Sequence, residues 1–364
     1  VRSRRQRQMC IRDSPNTFSR NSKKNLIDNI NYILRLIKSK NFEIEKKLFY
    51  ERNEDLIDKI SNNKNLIIDF DKKLIKLSKK NITLIDDIFF DDFFHDFYFI
   101  IDKGSNISMK ENSKIFFTSN VIFEGTKNEP INFFCENNCE VNFFYNKKVK
   151  LNYVNFTNFN QNSQNSFRTS PLTFFNSNLQ ISNLNLMNFK AEDQINIIDS
   201  KFSIDKSNFI NSLSDMIDID NGEGEIKNIT VENCGNDCLD FSSTKAKLEN
   251  IYILNSKDKG ISVGENSNIK LKNIEITNCG QICLASKDSS LVEIENIKFD
   301  NSFIGIASYN KKNIFDYGNV KIFGKLEYSK ISHPFIQEKK NSIIFDSISN
   351  DVFIDNLSNY IQKK

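Results

Sequence analysis

The chain has 364 residues and a formal net charge of +3, with 39% hydrophobic and 27% charged residues. Residues 1–14 contain five of the nine Arg and one Asp, a net +4, so the rest of the chain has a net charge of −1. This balance excludes a strongly basic nucleic-acid-binding protein, and no run of about 18 apolar residues predicts a membrane helix.

The N-terminal region has two parts with different composition. VRSRRQRQMCIRDS (1–14) is Arg-rich, whereas the rest is rich in Lys, Asn, Ile and Phe, so we interpret it as a non-native or adapter-derived segment. Residues 15–64 are predicted to form a helical N-terminal segment, because apolar residues recur there at helical spacing. No signal peptide is visible, and we expect the natural N-terminus to be incomplete.

From about residue 65 the apolar period shortens to two, as in NLIIDF and KIFFTSNVIFEG, which is typical of short strands. After each of several strands an Asn recurs, at positions 158, 188, 211, 233, 255, 278 and 301. The last five steps are 22 or 23 residues, and the first, of 30, indicates an excursion within FNQNSQNSFRTSPLTFF. Units of this length with three short strands each predict an all-β solenoid, a parallel β-helix whose coils bury their apolar residues against one another.

The repeat also predicts which residues stack. Three inward columns are expected: Ile229, Ile251, Ile274 and Ile297; Val231, Ile253, Ile276 and Phe299; and Leu239, Ile261 and Leu284. The recurring Asn is predicted to form a hydrogen-bonded ladder in a left-handed turn. We expect the β-helix to span 65–318, with regular coils from about 150, and residues 319–364 to form a C-terminal segment that caps the open end.

Apart from Cys10, the cysteines form three C-x-x-x-C pairs: Cys135/Cys139, Cys234/Cys238 and Cys279/Cys283. The last two pairs lie two coils apart, about 9–10 Å, whereas sulfurs on one zinc lie roughly 3.8 Å apart. A shared zinc is therefore excluded, and local disulfides or buried thiols remain as alternatives. The even number and the local pairing favour an oxidising compartment, so we expect a secreted or cell-envelope protein.

Acidic residues recur on three successive coils, in DQINI, DMIDI and DCLDF. Asp218 and Asp240 are expected to lie one above the other, about 5 Å apart, on an outer sheet face. Two carboxylates at that distance favour a raised pKa or a bound cation, so both are candidate calcium ligands. A second column is predicted at the turn: Asp193, Asp215, Asp237 and Lys259. The alternative is that Asp and Asn suit these turns and Lys259 neutralises the column.

The phrases EDQINI, SDMIDID, NDCLDFS, DKGISVGENS and SKDSS resemble right-handed parallel β-helix proteins of the pectin-lyase-like superfamily. More narrowly, they resemble an environmental bacterial group often found with CotH-like proteins. The resemblance covers about 110–320, and DKGISVGE is its most specific motif. It implies a right-handed single-stranded solenoid and a secreted, carbohydrate-related role.

A second resemblance is to polygalacturonase-type hydrolases of the same fold. Their pattern of one Asp, an Asp pair before Cys, and Gly-His-Gly matches Asp215, then Asn236-Asp237, then Asp258-Lys259-Gly260. In this chain Asn236 replaces one Asp of the pair, and Lys259 replaces the His. No Arg follows Arg168, so the site is degenerate. Asp215 and Asp237 would supply the acid and base of hydrolysis. A lyase would instead use Lys259 as base, beside calcium held by carboxylates.

Three functions are consistent with these patterns. The leading hypothesis is recognition of an extended polysaccharide along the acidic Asp218/Asp240 face. The second is a polysaccharide lyase or glycoside hydrolase with Asp215, Asp237, Asp240 and Lys259 as catalytic residues. The third is a structural cell-surface spacer. Calcium is the one cofactor suggested, and no nucleic-acid partner is expected.

Overall fold

Successive short strands wind into a parallel β-solenoid of about 11 turns with about 23-residue spacing. The computed structural model describes residues 60–61, 63–90, 92–161, 169–345, 348–349, 353–354 and 357. Its 29 strands belong to one continuous hydrogen-bonded sheet. The non-native segment predicted at 1–14 and nearly all of the helical segment predicted at 15–64 lie outside the described residues. No helix within the described part of the chain is long and apolar enough to cross a membrane.

The first coils contain ten strands. They are β1 (Leu66–Asp69), β2 (Leu74–Leu77), β3 (Asn81–Leu84), β4 (Ile88–Phe90), β5 (Tyr98–Asp102), β6 (Asn106–Met109), β7 (Lys114–Phe117), β8 (Asn120–Glu124), β9 (Ile131–Cys135) and β10 (Glu140–Phe144). A single-turn 3-10 helix, Asp92–Phe94, lies between β4 and β5. Large rings fill this part of the core: Phe117 and Phe174 stack on either side of Phe143, with ring centroids 5.1 and 4.6 Å apart.

The regular coils follow. Their strands are β11 (Val149–Thr157), β12 (Leu172–Phe175), β13 (Asn178–Phe189), β14 (Asp193–Ile198), β15 (Lys201–Asp205), β16 (Asn208–Ser212), β17 (Asp215–Asp220), β18 (Glu223–Cys234), β19 (Leu239–Ser242), β20 (Lys245–Ser256), β21 (Lys259–Gly264), β22 (Asn268–Lys287), β23 (Leu291–Ile294) and β24 (Ile297–Tyr309). The predicted excursion falls between β11 and β12, and residues 162–168 within it lie outside the described part.

The predicted inward columns are confirmed. Ile229 pairs in register with Ile251, which pairs with Ile274, and all three are at most 2% exposed. The columns that begin at Val231 and Leu239 continue in register in the same way. Each coil therefore buries its inward residues against the coils above and below, and this burial is the main source of stability.

The Asn ladder is also confirmed. The seven recurring Asn have φ between 55° and 63°, the left-handed region that Asn tolerates better than most residues. From Asn188 onward, each side-chain amide donates Nδ2–H to the Oδ1 of the Asn one coil earlier, at 2.8–3.1 Å. We call this column the corner ladder. A second turn carries a similar column, the opposite ladder, whose amides run through Asn228, Asn250, Asn273 and Asn296.

The stack continues beyond residue 318, where the sequence repeat fades. The additional strands are β25 (Asn319–Ile322), β26 (Leu326–Glu338), β27 (Ser342–Phe345), β28 (Ile348–Ser349) and β29 (Phe353–Ile354). Because β25, β26 and β27 pair in parallel register with earlier strands, residues 319–345 extend the solenoid, and the boundary expected at 318 is corrected. Antiparallel pairs, β1 with β2 and β27 with β28, cover strand edges near the two ends.

The three cysteine pairs differ in their bonding. Cys135–Cys139 and Cys234–Cys238 are disulfides that each close one corner, whereas Cys279 and Cys283 are buried thiols. The pairing is local, as the exclusion of a shared zinc required. The two alternatives that the spacing left open, local disulfides and buried thiols, therefore both occur in this protein.

Candidate functional site

The site begins at the corner that follows the first strand of each coil, where two of the coils read Asn-Cys-Gly, at 233–235 and 278–280. At Gly235 an added Cβ would lie 1.8 Å from the backbone oxygen of Leu213 on the preceding coil. The equivalent Gly280 would meet the oxygen of Lys257 at 2.1 Å. Only glycine permits this close approach of two backbones. The path of the backbone at this corner therefore requires glycine on both coils.

A groove of about 370 Å³ runs along this corner, parallel to the solenoid axis. Its lining residues come from four successive coils: Asn211, Ser212, Asn233, Cys234, Gly235, Asn255, Ser256, Lys257 and Asn278. Four of them are rungs of the corner ladder, so the groove wall is a regular row of side-chain amides. Lys257 supplies the only charged side chain of that lining.

Two residues after the glycine that lines the groove, the side chains at this corner become acidic. Asp215 is 8% exposed, and its Oδ1 accepts hydrogen bonds from Asn236 Nδ2 at 2.5 Å and from the Asp237 backbone N–H at 2.9 Å. Burial raises the pKa of Asp215 well above its usual value, and the neighbouring carboxylates, first Asp237 and then Asp193, raise it further. Asp215 is therefore a carboxyl group held in conditions that favour its protonated form.

Asp237 is paired with a lysine from the next coil. Lys259 Nζ lies 3.2 Å from Asp237 Oδ1, and it also contacts Asp258. Burial raises the pKa of Asp237, although Lys259 opposes the effect. For Lys259 burial lowers the pKa, but Asp237, Tyr309 and Asp258 together raise it well above the usual value, so its ammonium form is strongly favoured.

Asp218 and Asp240 pair in register on adjacent strands, as predicted. The structure differs from the prediction in their exposure: Asp218 is 0% exposed, and Asp240 is partly buried. Asn196 on the preceding coil donates Nδ2–H to Asp218 Oδ2 at 2.7 Å. The expected open acidic face is therefore corrected to a largely covered one, in which the Asp218 carboxylate contacts another protein side chain.

Sequence reasoning missed Lys287 and Tyr309, which belong to the same cluster. Lys287 is 4% exposed, and its Nζ donates to Ser262 Oγ at 2.7 Å. Burial opposes its ammonium form, but Asp240 first and Tyr309 next raise the pKa of Lys287 above the usual value. The signal lay in the coil alignment, which places Lys287 one coil above Gly264, on the strand beside the acidic column.

The metal prediction has no support from side-chain geometry in the described part of the chain. No group of three or more His, Cys, Asp or Glu side chains is arranged there to hold an ion. The positive charges near the acidic column include the Lys259 and Lys287 ammonium groups, which interact with Asp237 and Asp240, and that of Lys311. Calcium at Asp218 and Asp240 stays a prediction.

The protein-family model described as "right handed beta helix region" matches residues 172–322 of this chain. These residues contain the groove and the acidic cluster. The fold is thus a right-handed parallel β-helix, as the sequence resemblance implied. No curated protein matches the chain.

Several solved structures are similar to parts of the chain. One is the catalytic domain of a GH87 alpha-1,3-glucanase in complex with tetrasaccharides, with 9% identity and a TM-score of 0.40, covering 69% of this chain and 63% of that one. Another is tailspike protein 2 from an Escherichia coli O157:H7 bacteriophage, with 12% identity and a TM-score of 0.35, covering 78% of this chain but 44% of that one. A third is the A-module of an Azotobacter vinelandii mannuronan C-5 epimerase, with 12% identity and a TM-score of 0.32, covering 71% and 86%. The chain thus spans less than two thirds of the first two proteins.

Proposed function

We propose that the protein recognises an extended polysaccharide, which lies along the corner groove next to the acidic cluster. The observation that carries this proposal is the groove itself: an open channel of about 370 Å³, lined by equivalent amides on four successive coils. The proposed binding surface is the groove and not the Asp218/Asp240 face, because Asp218 is 0% exposed.

The chemistry of the amide row suits a polymer rich in hydroxyl groups. Each Asn of the ladder uses one N–H and one acceptor position for its neighbours, and the amide has a second N–H and a second lone pair. Successive rungs such as Asn233 and Asn255 therefore offer one donor and one acceptor per coil to a ligand. A polymer with regularly spaced hydroxyl groups matches this repeat, whereas a compact ligand uses only one or two rungs.

The two disulfides support the compartment that this function requires. Disulfides persist mainly in secreted, periplasmic and surface proteins, and Cys135–Cys139 and Cys234–Cys238 are both formed. We therefore place the protein outside the cytoplasm, as a secreted or envelope protein, where extended polysaccharides occur.

A glycan array probed with and without calcium tests recognition. We expect the protein to bind at least one extended polysaccharide, with an affinity that falls about tenfold in an Asn233→Gly/Asn255→Gly variant, since two amide contacts are lost. Glycine accepts the positive φ of both positions. The matched control is Asn250→Gly/Asn273→Gly, which removes two rungs of the opposite ladder. Equal affinities for both variants would refute the groove, and no bound glycan would leave the spacer function as the better account.

Hydrolysis of the bound polysaccharide is a second candidate, favoured by the state of Asp215. A glycoside hydrolase needs one protonated carboxyl group and one carboxylate; the raised pKa of Asp215 favours the first, and the Lys259 ammonium group 3.2 Å from Asp237 favours the second. The lyase alternative is weaker, because a catalytic base must release its proton and the carboxylates around Lys259 hold its ammonium form.

Release of reducing ends from the polysaccharides bound on the array tests hydrolysis. Asp215→Asn keeps the acceptor oxygen for Asn236 but removes the acidic proton, so we expect binding to persist and release to fall by about 10²-fold or more. Asp205→Asn, a control at the end of β15 whose carboxylate accepts a hydrogen bond from Asn228, should change neither. Release of unsaturated ends would instead favour the lyase, and release that survives Asp215→Asn would rule out this acid.

A further inference from the structure

The thiols of Cys279 and Cys283 occupy the same corner positions as an existing disulfide two coils away. Cys234 pairs in register with Ser256, and Ser256 with Cys279. Likewise Leu239, Ile261 and Leu284 stack in register, so the preceding Cys238, Gly260 and Cys283 occupy equivalent positions. The backbone at 279–283 therefore follows a corner that already closes a disulfide at 234–238, with a Cα–Cα distance of 5.3 Å.

The two thiols also lie beside each other, since the side chain of each has the largest influence on the pKa of the other. The coil between the two corners leaves room for them, since a Cβ added at Gly260 would lie 3.3 Å from Cys279 Sγ. Cys279 is 5% exposed and Cys283 is 0% exposed, so both thiols belong to the interior of this corner.

We propose that Cys279 and Cys283 are a redox pair that closes to a third corner disulfide by exchange with a small-molecule disulfide such as oxidised glutathione. The thiolate of Cys279 attacks one sulfur of glutathione disulfide, forming a mixed disulfide and releasing one glutathione. The thiolate of Cys283 then attacks Cys279 Sγ, which forms the protein disulfide and releases the second glutathione. Two protein thiols are oxidised, one disulfide is reduced, and the two protons end on the glutathione thiols.

The order of attack follows from the environment of each sulfur. Contact with Cys283 lowers the pKa of Cys279, and contact with Cys279 together with burial raises the pKa of Cys283. Cys279 is also the more exposed of the two. Because the thiolate is the attacking form, Cys279 reacts first with the external disulfide, and Cys283 resolves the mixed disulfide.

The proposed disulfide lies at one end of the corner groove. Asn278, the last rung that lines the groove, directly precedes Cys279, and Cys234 lines its floor two coils earlier. After oxidation of Cys279 and Cys283, a disulfide therefore constrains the groove corner on each of these two coils. An effect on polysaccharide affinity rests on the proposed function, but formation of the disulfide does not.

The test is peptide mapping of the full chain after incubation with glutathione disulfide, once folded and once during refolding, followed by alkylation in denaturant without reductant. We expect the peptide with both cysteines to lack alkyl groups and to be lighter by two hydrogen atoms than its reduced form. In Cys283→Ser, Cys279 should carry glutathione or an alkyl group. Alkylation of both wild-type thiols under both conditions, with Cys234–Cys238 intact, would overturn the proposal.

A stability measurement separates a native disulfide from one formed only in unfolded chains. The oxidised wild type should melt several degrees higher than protein whose 279–283 pair has been selectively reduced, since a cross-link restricts the unfolded chain. The Cys279→Ser/Cys283→Ser variant keeps the other two disulfides and should show no such shift. An oxidised form that melts lower than the reduced one would show that this corner does not accept the bond.

Discussion

The corners NCGNDCLDFS and NCGQICLASK lie two coils apart and have equivalent inward positions but different outward side chains. Their inward residues are equivalent, since Leu239 and Leu284 stack in one buried column. Their outward residues differ: the position of Asp237 is taken, two coils on, by Ile282, and that of Asp240 by Ala285. The acidic cluster is therefore a local feature of a few coils and not a property of the repeat.

The outward side chains of the second corner, NCGQICLASK, are covered by other apolar side chains. Ile282 and Ala285 belong to a separate buried cluster on the outside of the coil, and Leu357 near the C-terminus is part of it. The Leu357 backbone N–H also donates to Glu338 Oε1 at 2.7 Å. The difference between the corners teaches that the inward residues specify the scaffold, whereas the outward residues decide whether a corner holds charge or is covered.

The largest expected difference between the corners concerns buried charge. Lys259→Met removes the ammonium group beside Asp237 and leaves that carboxylate buried, so we expect a loss of about 3–5 kcal/mol in the free energy of unfolding at neutral pH. Ile282→Met occupies the equivalent position one coil later and should cost less than about 1.5 kcal/mol. Urea denaturation of both variants measures the two losses, and similar values would contradict the assignment of a buried ion pair.

Substitutions of inward residues should lower the free energy of unfolding equally at the two corners. Leu239→Ala and Leu284→Ala each empty one position of the same column and should each lower the free energy of unfolding by about 2–5 kcal/mol. Because the two sites have similar packing, we expect the two losses to agree within about 1 kcal/mol. A large loss at one position only, in the same denaturation experiment, would show that the two corners are not structurally equivalent.

A smaller, pH-dependent effect is expected for Asp215. Its folded-state pKa is raised, so the folded protein binds a proton that the unfolded chain releases once the pH exceeds about 3.8. The wild type should therefore lose stability relative to Asp215→Asn as the pH rises from about 3.8, until the folded-state pKa is passed. Thermal melts of both proteins across pH measure this difference, and a wild type that gains stability relative to Asp215→Asn as the pH rises would indicate a lowered pKa.

The inward pattern was predictable from the sequence, because stacking repeats one requirement on every coil. Ile251 and Asn255 recur at a fixed spacing, and the structure places both as expected. The outward side was not predictable to the same degree. The burial of Asp218 and the arrival of Lys287 beside Asp240 depend on long side chains and covering residues from other coils, which no period records. The continuation to Phe345 was missed because β25 to β27 keep the register but not the Asn repeat.

Hydrogen exchange of the protein with and without its bound polysaccharide tests the central claim most directly. The account predicts slower exchange at the groove corner, around Ser212, Gly235 and Lys257, with little change along the opposite ladder at Asn250 and Asn273. Protection confined to the opposite ladder, or spread equally over both corners, would contradict recognition in the groove.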